Sequence, residues 1–259
     1  MKKQIILAIA FLAVAASLGF ASTLSFKVGY FVPGLKSDFW DTELANMSFL
    51  KSNFQGAAFS LSYEWFLTRE LSLVIGIDTF SKNKTGNYKD YVGVQFDEGD
   101  FALPAQYYDG DFTPNHRLSI SVTPLQFSLK IAPFGRRGRV IPYLGAGVGL
   151  YFWSLRMQGD FIDFSDEYIY DDPAGYEVPV YPIYAVDAME GANSARIAFG
   201  WQAFGGFQVP IANRLTLDLE AKYSAAKGKM GTDPNDGFHG FQPLDLGGLQ
   251  FSLGINFWF

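Results

Sequence analysis

Residues 249–259 read Leu249-Gln250-Phe251-Ser252-Leu253-Gly254-Ile255-Asn256-Phe257-Trp258-Phe259. Side chains alternate across a β-strand, so Leu249, Phe251, Leu253, Ile255, Phe257 and Phe259 share one face, and Gln250, Ser252, Gly254 and Asn256 share the other. A slip of one residue would exchange the two faces. Eleven residues of this kind, tilted, are enough to cross a bilayer as a strand, which takes about 9–11.

The same alternation runs upstream. Leu215, Leu217, Leu219, Ala221 and Tyr223 oppose Thr216, Asp218, Glu220, Lys222 and Ser224. Ile197, Phe199, Trp201, Ala203 and Phe207 oppose Arg196, Gly200, Gln202, Phe204 and Gln208. Leu144, Ala146, Val148, Leu150 and Phe152 oppose Tyr143, Gly145, Gly147, Gly149 and Tyr151. Four further strands are predicted over Leu24–Val32, Ala57–Trp65, Leu71–Thr79 and Leu118–Ile131. In the last, Leu118, Ile120 and Val122 have one parity and Leu125, Phe127, Leu129 and Ile131 the other. A β-bulge at Thr123-Pro124 is the expected cause.

The connections alternate in length. Leu67–Glu70, Pro133–Arg139 and Pro210–Arg214 are short, whereas Gly34–Asn53, Lys84–Asn115, Gly159–Asn193 and Gly228–Leu244 are long. The second of the long ones contains Tyr91-Val92-Gly93-Val94-Gln95-Phe96, which could continue strands beyond the membrane. The predicted fold is all-β: an eight-stranded antiparallel transmembrane β-barrel with short periplasmic turns and long extracellular loops. An even strand count puts both termini on the periplasmic side.

At the N-terminus, Lys2 and Lys3 precede an apolar run from Ile5 to Leu18, followed by Gly19-Phe20-Ala21. This pattern predicts a cleaved signal peptide over 1–21 and a barrel domain over 22–259. The run is too short for a membrane-spanning helix. The chain has no Cys, hence no disulfide scaffold and no thiolate metal site. A net charge of −6 speaks against a nucleic-acid partner, and 18% charged residues is low beside the roughly 25% of a soluble domain.

A soluble barrel with an apolar cavity would show similar periodicity, so the polar face decides. That face is small: Gly29, Ala58, Ser60, Ser62, Gly76, Ser119, Ser121, Gly145, Gly147, Gly149, Gly200 and Gly206 suit a crowded lumen, whereas a solvated exterior would be rich in Lys and Glu. Aromatics gather near strand ends, at Tyr63, Trp65, Phe152, Tyr223 and Phe257–Phe259, as interfacial girdles do.

The glycine-alternating stretch Pro142–Gly149, the strand Leu217–Tyr223 and the ending Gly254–Phe259 resemble those of small bacterial outer-membrane β-barrel proteins, the group of the OmpA barrel domain and the OmpX and OmpW families. The resemblance covers the mature chain in architecture, through generic motifs. It implies that Phe259 forms part of the signal read by the barrel-assembly machinery, with outer-membrane lipid as the other partner; the extracellular ligand is unknown. A Phe259 that only anchors in the interface is the alternative.

Lys27, Glu64, Asp78, Arg117, Lys130, Arg196, Asp218, Glu220 and Lys222 are expected to point inward. All but Arg117 form the predicted set of lumen ion pairs, with Lys27 near Glu64, because an unpaired charge in a narrow barrel is costly. A polar path for small ions is the alternative; an eight-stranded lumen is just wide enough to be filled by side chains.

The third long loop carries Asp160, Asp163, Asp166, Glu167, Asp171 and Asp172, a possible cation site, with Glu177, Asp187 and Glu190 following and tyrosines interleaved. The spacing lacks the EF-hand pattern, and a solvated loop is the plainer reading. His116 and His239 fall in no recognisable catalytic constellation, so no catalytic residues, resident metal or cofactor are predicted. Three functions follow in order: a structural or surface-interaction barrel with no large pore; a narrow channel or transporter for small or hydrophobic molecules; and an outer-membrane enzyme. The last would gain weight if a loop His and a carboxylate met within hydrogen-bond distance.

Overall fold

The computed structural model describes residues 21–259 apart from 172, 174, 187–192, 232–237 and 239. The expected export signal therefore lies outside the described residues except for Ala21. The elements are β1 (Ser22–Pro33), α1 (Asp38–Asn46), a 3-10 turn (Lys51–Phe54), β2 (Gly56–Phe66), β3 (Leu71–Asn87), β4 (Tyr91–Phe96), β5 (Gly99–Pro104), β6 (Asn115–Ile131) and β7 (Ile141–Ile162). They continue with β8 (Tyr168–Asp171), β9 (Glu177–Val186), β10 (Asn193–Ala212), β11 (Leu215–Gly228), β12 (Leu244–Asp245) and β13 (Gly248–Trp258).

Eight of these strands close a barrel. The order runs β1-β2-β3-β6-β7-β10-β11-β13 and returns to β1, with every neighbour antiparallel. Closure leaves no unpaired sheet edge, which hydrocarbon requires because it offers no partner for a free N–H or C=O. The faces are inverted relative to a soluble protein. Phe26, Val28, Phe127, Leu129, Leu144, Val148, Phe199, Leu219, Phe251, Leu253 and Ile255 are exposed, while Lys27, Glu64, Asp78, Lys130, Asp218, Glu220 and Lys222 are buried. The chain is an eight-stranded antiparallel transmembrane β-barrel. Among the described residues no helix is long and apolar enough to cross a membrane.

The strands differ in length. β1, β2, β11 and β13 have 12, 11, 14 and 11 residues, whereas β3, β6, β7 and β10 have 17, 17, 22 and 20. The latter exceed the roughly 9–11 needed to span, so one wall continues past the apolar band. β9 pairs with β5, β7 and β8, and β4 with β5, joining the second and third long connections in one small sheet. Leu103, Val178 and Val180 form its own core, with Val92, Val94, Phe96 and Phe101 against it.

The bulge expected at Thr123-Pro124 is absent. The register of β6 against β7 runs without interruption from His116↔Gly159 to Ile131↔Leu144, and burial keeps one parity from His116 to Lys130. What changes along β6 is the lumen itself. Leu118, Ile120 and Val122 point into an apolar upper half, and Gln126, Ser128 and Lys130 into a polar lower half. Ser119, Ser121 and Arg117 consequently sit on the outward parity, not inside.

Folding of the first long connection fills the upper half. A helix of nine residues is marginal by itself; α1 persists because Phe39 and Trp40 are fully buried among Phe31, Phe54, Phe80, Leu118, Trp153 and Phe238. The Trp40 and Phe54 rings lie 4.8 Å apart, and those of Phe39 and Phe238 5.7 Å. Asp38 accepts the backbone N–H of Gln242 at 3.0 Å, which ties the first long connection to the fourth.

Candidate functional site

The lower lumen is an ion-pair cluster built from alternate residues of neighbouring strands. Lys27 on β1 lies 2.5 Å from Glu220 and 3.0 Å from Asp218, both on β11. Lys130 on β6 lies 2.8 Å from Glu64 on β2, and Lys222 lies 2.8 Å from Asp78 on β3 and 3.9 Å from Glu220. Arg136, from the turn between β6 and β7, approaches Glu64 at 3.3 Å. Four cations thus face four carboxylates, all with side chains at most 10% exposed. Each buried ion costs several kcal/mol in lost hydration, about, and the balance of signs is what makes burial tolerable.

Neutral side chains complete the cluster. The Tyr143 hydroxyl donates to Asp218 at 2.6 Å and stands 3.0 Å from Glu220. Its ring lies 4.1 Å below the Lys130 ammonium, close enough for a cation–π contact. Ser72 donates to Glu64 at 2.5 Å, and Gln126 to Asp78 at 3.1 Å. Gly206 makes room for this arrangement, since a Cβ there would strike the Tyr143 hydroxyl. A cavity of about 30 Å³ remains among these groups. A second, of about 20 Å³, lies against Phe31, Phe80, Tyr151 and Leu246 and shares Asp78 and Gln126 with the first. Spaces of that size hold a water molecule or two.

The sequence-predicted residues divide. Lys27, Glu64, Asp78, Lys130, Asp218, Glu220 and Lys222 come together, but Lys27 pairs with Asp218 and Glu220, and Glu64 with Lys130 and Arg136. Arg196 is corrected: it is exposed on β10 above the cluster and, among the described residues, has no ion pair. Arg117 is exposed too, with Nε donating to Thr85 at 3.3 Å. Tyr143 and Arg136 are the residues that strand parity did not single out. Tyr143 has the inward parity, but nothing local marks it as a carboxylate partner; Arg136 lies in a turn, where parity carries no information.

In the third long connection four carboxylates accept hydrogen bonds from the protein itself. Asp160 accepts the Asn115 N–H at 3.1 Å, and Asp163 accepts the Ser165 N–H at 2.9 Å and its hydroxyl at 2.6 Å. Asp166 accepts from Tyr168 at 3.2 Å and Glu167 from Tyr181 at 3.0 Å. These bonds hold both phenols above their ordinary range. Asp171 is exposed, and Asp172, Asp187 and Glu190 lie outside the described residues. Among the described residues no three His, Asp or Glu side chains converge as a metal site.

His116, near the start of β6, is buried. It is 1% exposed, its Nε2 is 2.7 Å from Glu43 on α1, and its ring stacks on Phe161 at 5.0 Å and meets Tyr88 edge-on at 5.6 Å. Burial is the main cause that pushes the Tyr88 hydroxyl up to about 12, with the charges on Glu43 and Asp160 adding to it. His239 lies outside the described residues. Phe259 is exposed, its N–H bonding Ser22 at 2.9 Å and its ring 5.0 Å from Phe257.

A closed eight-stranded register with an apolar exterior and a paired, charged interior defines the class: a small transmembrane β-barrel. No family model matches the chain, and no curated protein matches it by sequence. Among solved structures it is similar to the outer membrane protein OprG from Pseudomonas aeruginosa, at 12% identity over 93% of this chain and 96% of that one, with a TM-score of 0.49. Neisserial surface protein A matches at 13% identity over 92% and 97%, with a TM-score of 0.39. The Escherichia coli outer membrane protein W matches at 13% over 93% and 100%, with a TM-score of 0.38. At these identities and scores the class rests on the chain's own closed register.

Proposed function

We propose that this chain is a sealed barrel of the bacterial outer membrane with a structural or surface-interaction role, exported by the signal over 1–21 and holding its termini and short turns in the periplasm. The observation that carries this reading is the double closure of the lumen. The balanced cluster around Lys27, Glu220 and Tyr143 fills the lower half, and α1 fills the upper half with Phe39 and Trp40. The strand extensions then present a folded, acidic and tyrosine-rich sheet to the exterior, and Phe259 serves the assembly machinery. The test is single-channel recording of the refolded protein in a planar bilayer. A folded but silent barrel supports the proposal, and discrete reproducible conductance steps overturn it.

A second reading has one observation in its favour. The upper lumen is apolar, and the groups that fill it come from a connection rather than from the barrel, so a small hydrophobic molecule could take the place of α1. Saturable binding of an apolar fluorophore by a Trp40→Ala variant, with none by the parent, would move the assignment toward a conduit. His116 and Glu43 do meet at hydrogen-bond distance, the arrangement that would favour an enzyme. Aromatic rings enclose them and neither lumen cavity touches them, so their role in our reading is to latch α1 to the rim.

A further inference from the structure

The barrel is electrically bipolar along its axis. Five of the eight arginines, Arg69, Arg136, Arg137, Arg139 and Arg214, lie in the three short turns, which contain no lysine and one acid, Glu70. Of the 26 Asp and Glu residues, all but Glu70 and the four lumen carboxylates lie in the long connections at the other end or the strand ends leading to them.

Arg136 has a structural task. It donates to the carbonyls of Thr68 at 3.1 Å and Arg69 at 2.5 Å, approaches Glu64, and lies 4.1 Å over the Phe66 ring. These contacts dock the β6–β7 turn, which carries Arg137 and Arg139, onto the β2–β3 turn, which carries Arg69. The left-handed Gly135, at φ 70°, reverses the chain there. On the far side of the rim, the Trp258 N–H bonds the Arg214 carbonyl at 2.9 Å and anchors the third turn to β13. Arg69, Arg137, Arg139 and Arg214 are exposed, and among the described residues none has an ion pair. Between them stand exposed apolar tips, Leu67, Phe134 at 83% exposure, Val140 and Ile211, continuous with the lipid-facing band through Ile131 and Val209.

We infer that the short-turn rim is a collar for the phosphate groups of anionic phospholipid in the leaflet that this end reaches. A guanidinium presents paired N–H donors that match phosphate oxygens, which an ammonium does not. The apolar tips set the depth: with Phe134 and Ile211 at the hydrocarbon boundary, the four free guanidiniums stand at the level of the headgroups. A soluble acidic partner would account for the arginines but not for aromatic and aliphatic side chains interleaved with them and continuous with the lipid band. The collar also gives the barrel a direction, since the opposite, acidic end is repelled by the same headgroups. This rests on the membrane reading above.

The experiment uses the folded full-length mature chain in uncharged detergent micelles and follows its thermal midpoint as short-chain phosphatidylglycerol, short-chain phosphatidylcholine or inorganic phosphate is added. Phosphatidylglycerol is expected to raise the midpoint saturably, to a clearly greater extent than the other two. R69Q/R137Q/R139Q/R214Q is expected to lose that rise, and K84Q/K229Q, which changes charge at the other end, to keep it. R137Q/R139Q, confined to one turn, gives the partial loss should the quadruple variant not fold. An equal rise in parent and arginine variants overturns the collar, as does a rise from inorganic phosphate alone, which marks a free-anion site. Failure of the parent to fold in micelles would instead count against the membrane reading itself.

Discussion

Lys27 reaches Glu220 by crossing over Gly254. The register sets Lys27 opposite Gly254 on β13, and Gly254 opposite Asp218 on β11, so the lysine stem spans an entire strand before its ammonium meets the carboxylate 2.5 Å away. A Cβ at Gly254 would collide with that stem. The Gly254→Val substitution is therefore expected to unfold the barrel at lower urea, by more than the usual cost of a strand glycine replacement, with the loss measured in lipid vesicles.

Removing one partner from the cluster leaves its opposite charges buried and unpaired. Lys27→Met is expected to cost about 3–5 kcal/mol of stability, whereas the double change Lys27→Met, Asp218→Asn returns most of it, because Glu220 keeps Lys222 at 3.9 Å and three cations then face three carboxylates. Equilibrium denaturation of both variants checks this; equal losses would show that the paired charges hold the fold in a way neutral groups cannot.

Trp40 is fully buried in the cap. Its replacement by Ala is expected to cost about 3–5 kcal/mol, the range for emptying a large aromatic site, with the loss falling on the cap while the strand circular dichroism of the barrel stays unchanged. Limited proteolysis of the first long connection, beside the far-ultraviolet spectrum, separates the two.

The bond between His116 and Glu43 holds α1 to β6. A buried bond to a charged group contributes roughly 1.5–3 kcal/mol, so Glu43→Gln is expected to speed chymotryptic cleavage after Phe39 and Trp40 by about tenfold or more. Unchanged cleavage would show that aromatic packing alone secures the helix.

Tyr88 should ionise late. Its hydroxyl is pushed from the ordinary 10 to about 12, so the folded state favours the neutral phenol. Its contribution to stability is full below pH 10 and is lost as the pH rises through 12. The difference in phenolate absorbance between the parent and Tyr88→Phe is expected to have its midpoint near 12; a midpoint near 10 would place Tyr88 in contact with solvent.

Alternation in the amino-acid order was enough to determine eight strands, which of their faces is polar, and which connections are long, because the two-residue repeat of a strand is a local property. It was misleading where burial changed its chemistry without changing direction. Leu118, Ile120 and Val122 look like lipid-facing residues, and only the folded first connection, with Phe39 and Trp40 among them, makes their inward position apolar and stable. The same limit applied to charge. Parity placed Lys27, Glu64, Asp78, Lys130, Asp218, Glu220 and Lys222 on the inner faces, but their pairing depends on which strands closure brings together and on the gap that Gly254 leaves. Tyr143, Arg136 and His116 found their partners through contacts between elements distant in sequence, and Arg196 has no ion pair among the described residues because β10 continues past the charged layer. The local repeat decided what could face inward; barrel closure and the folding of the connections decided what each inward group would meet.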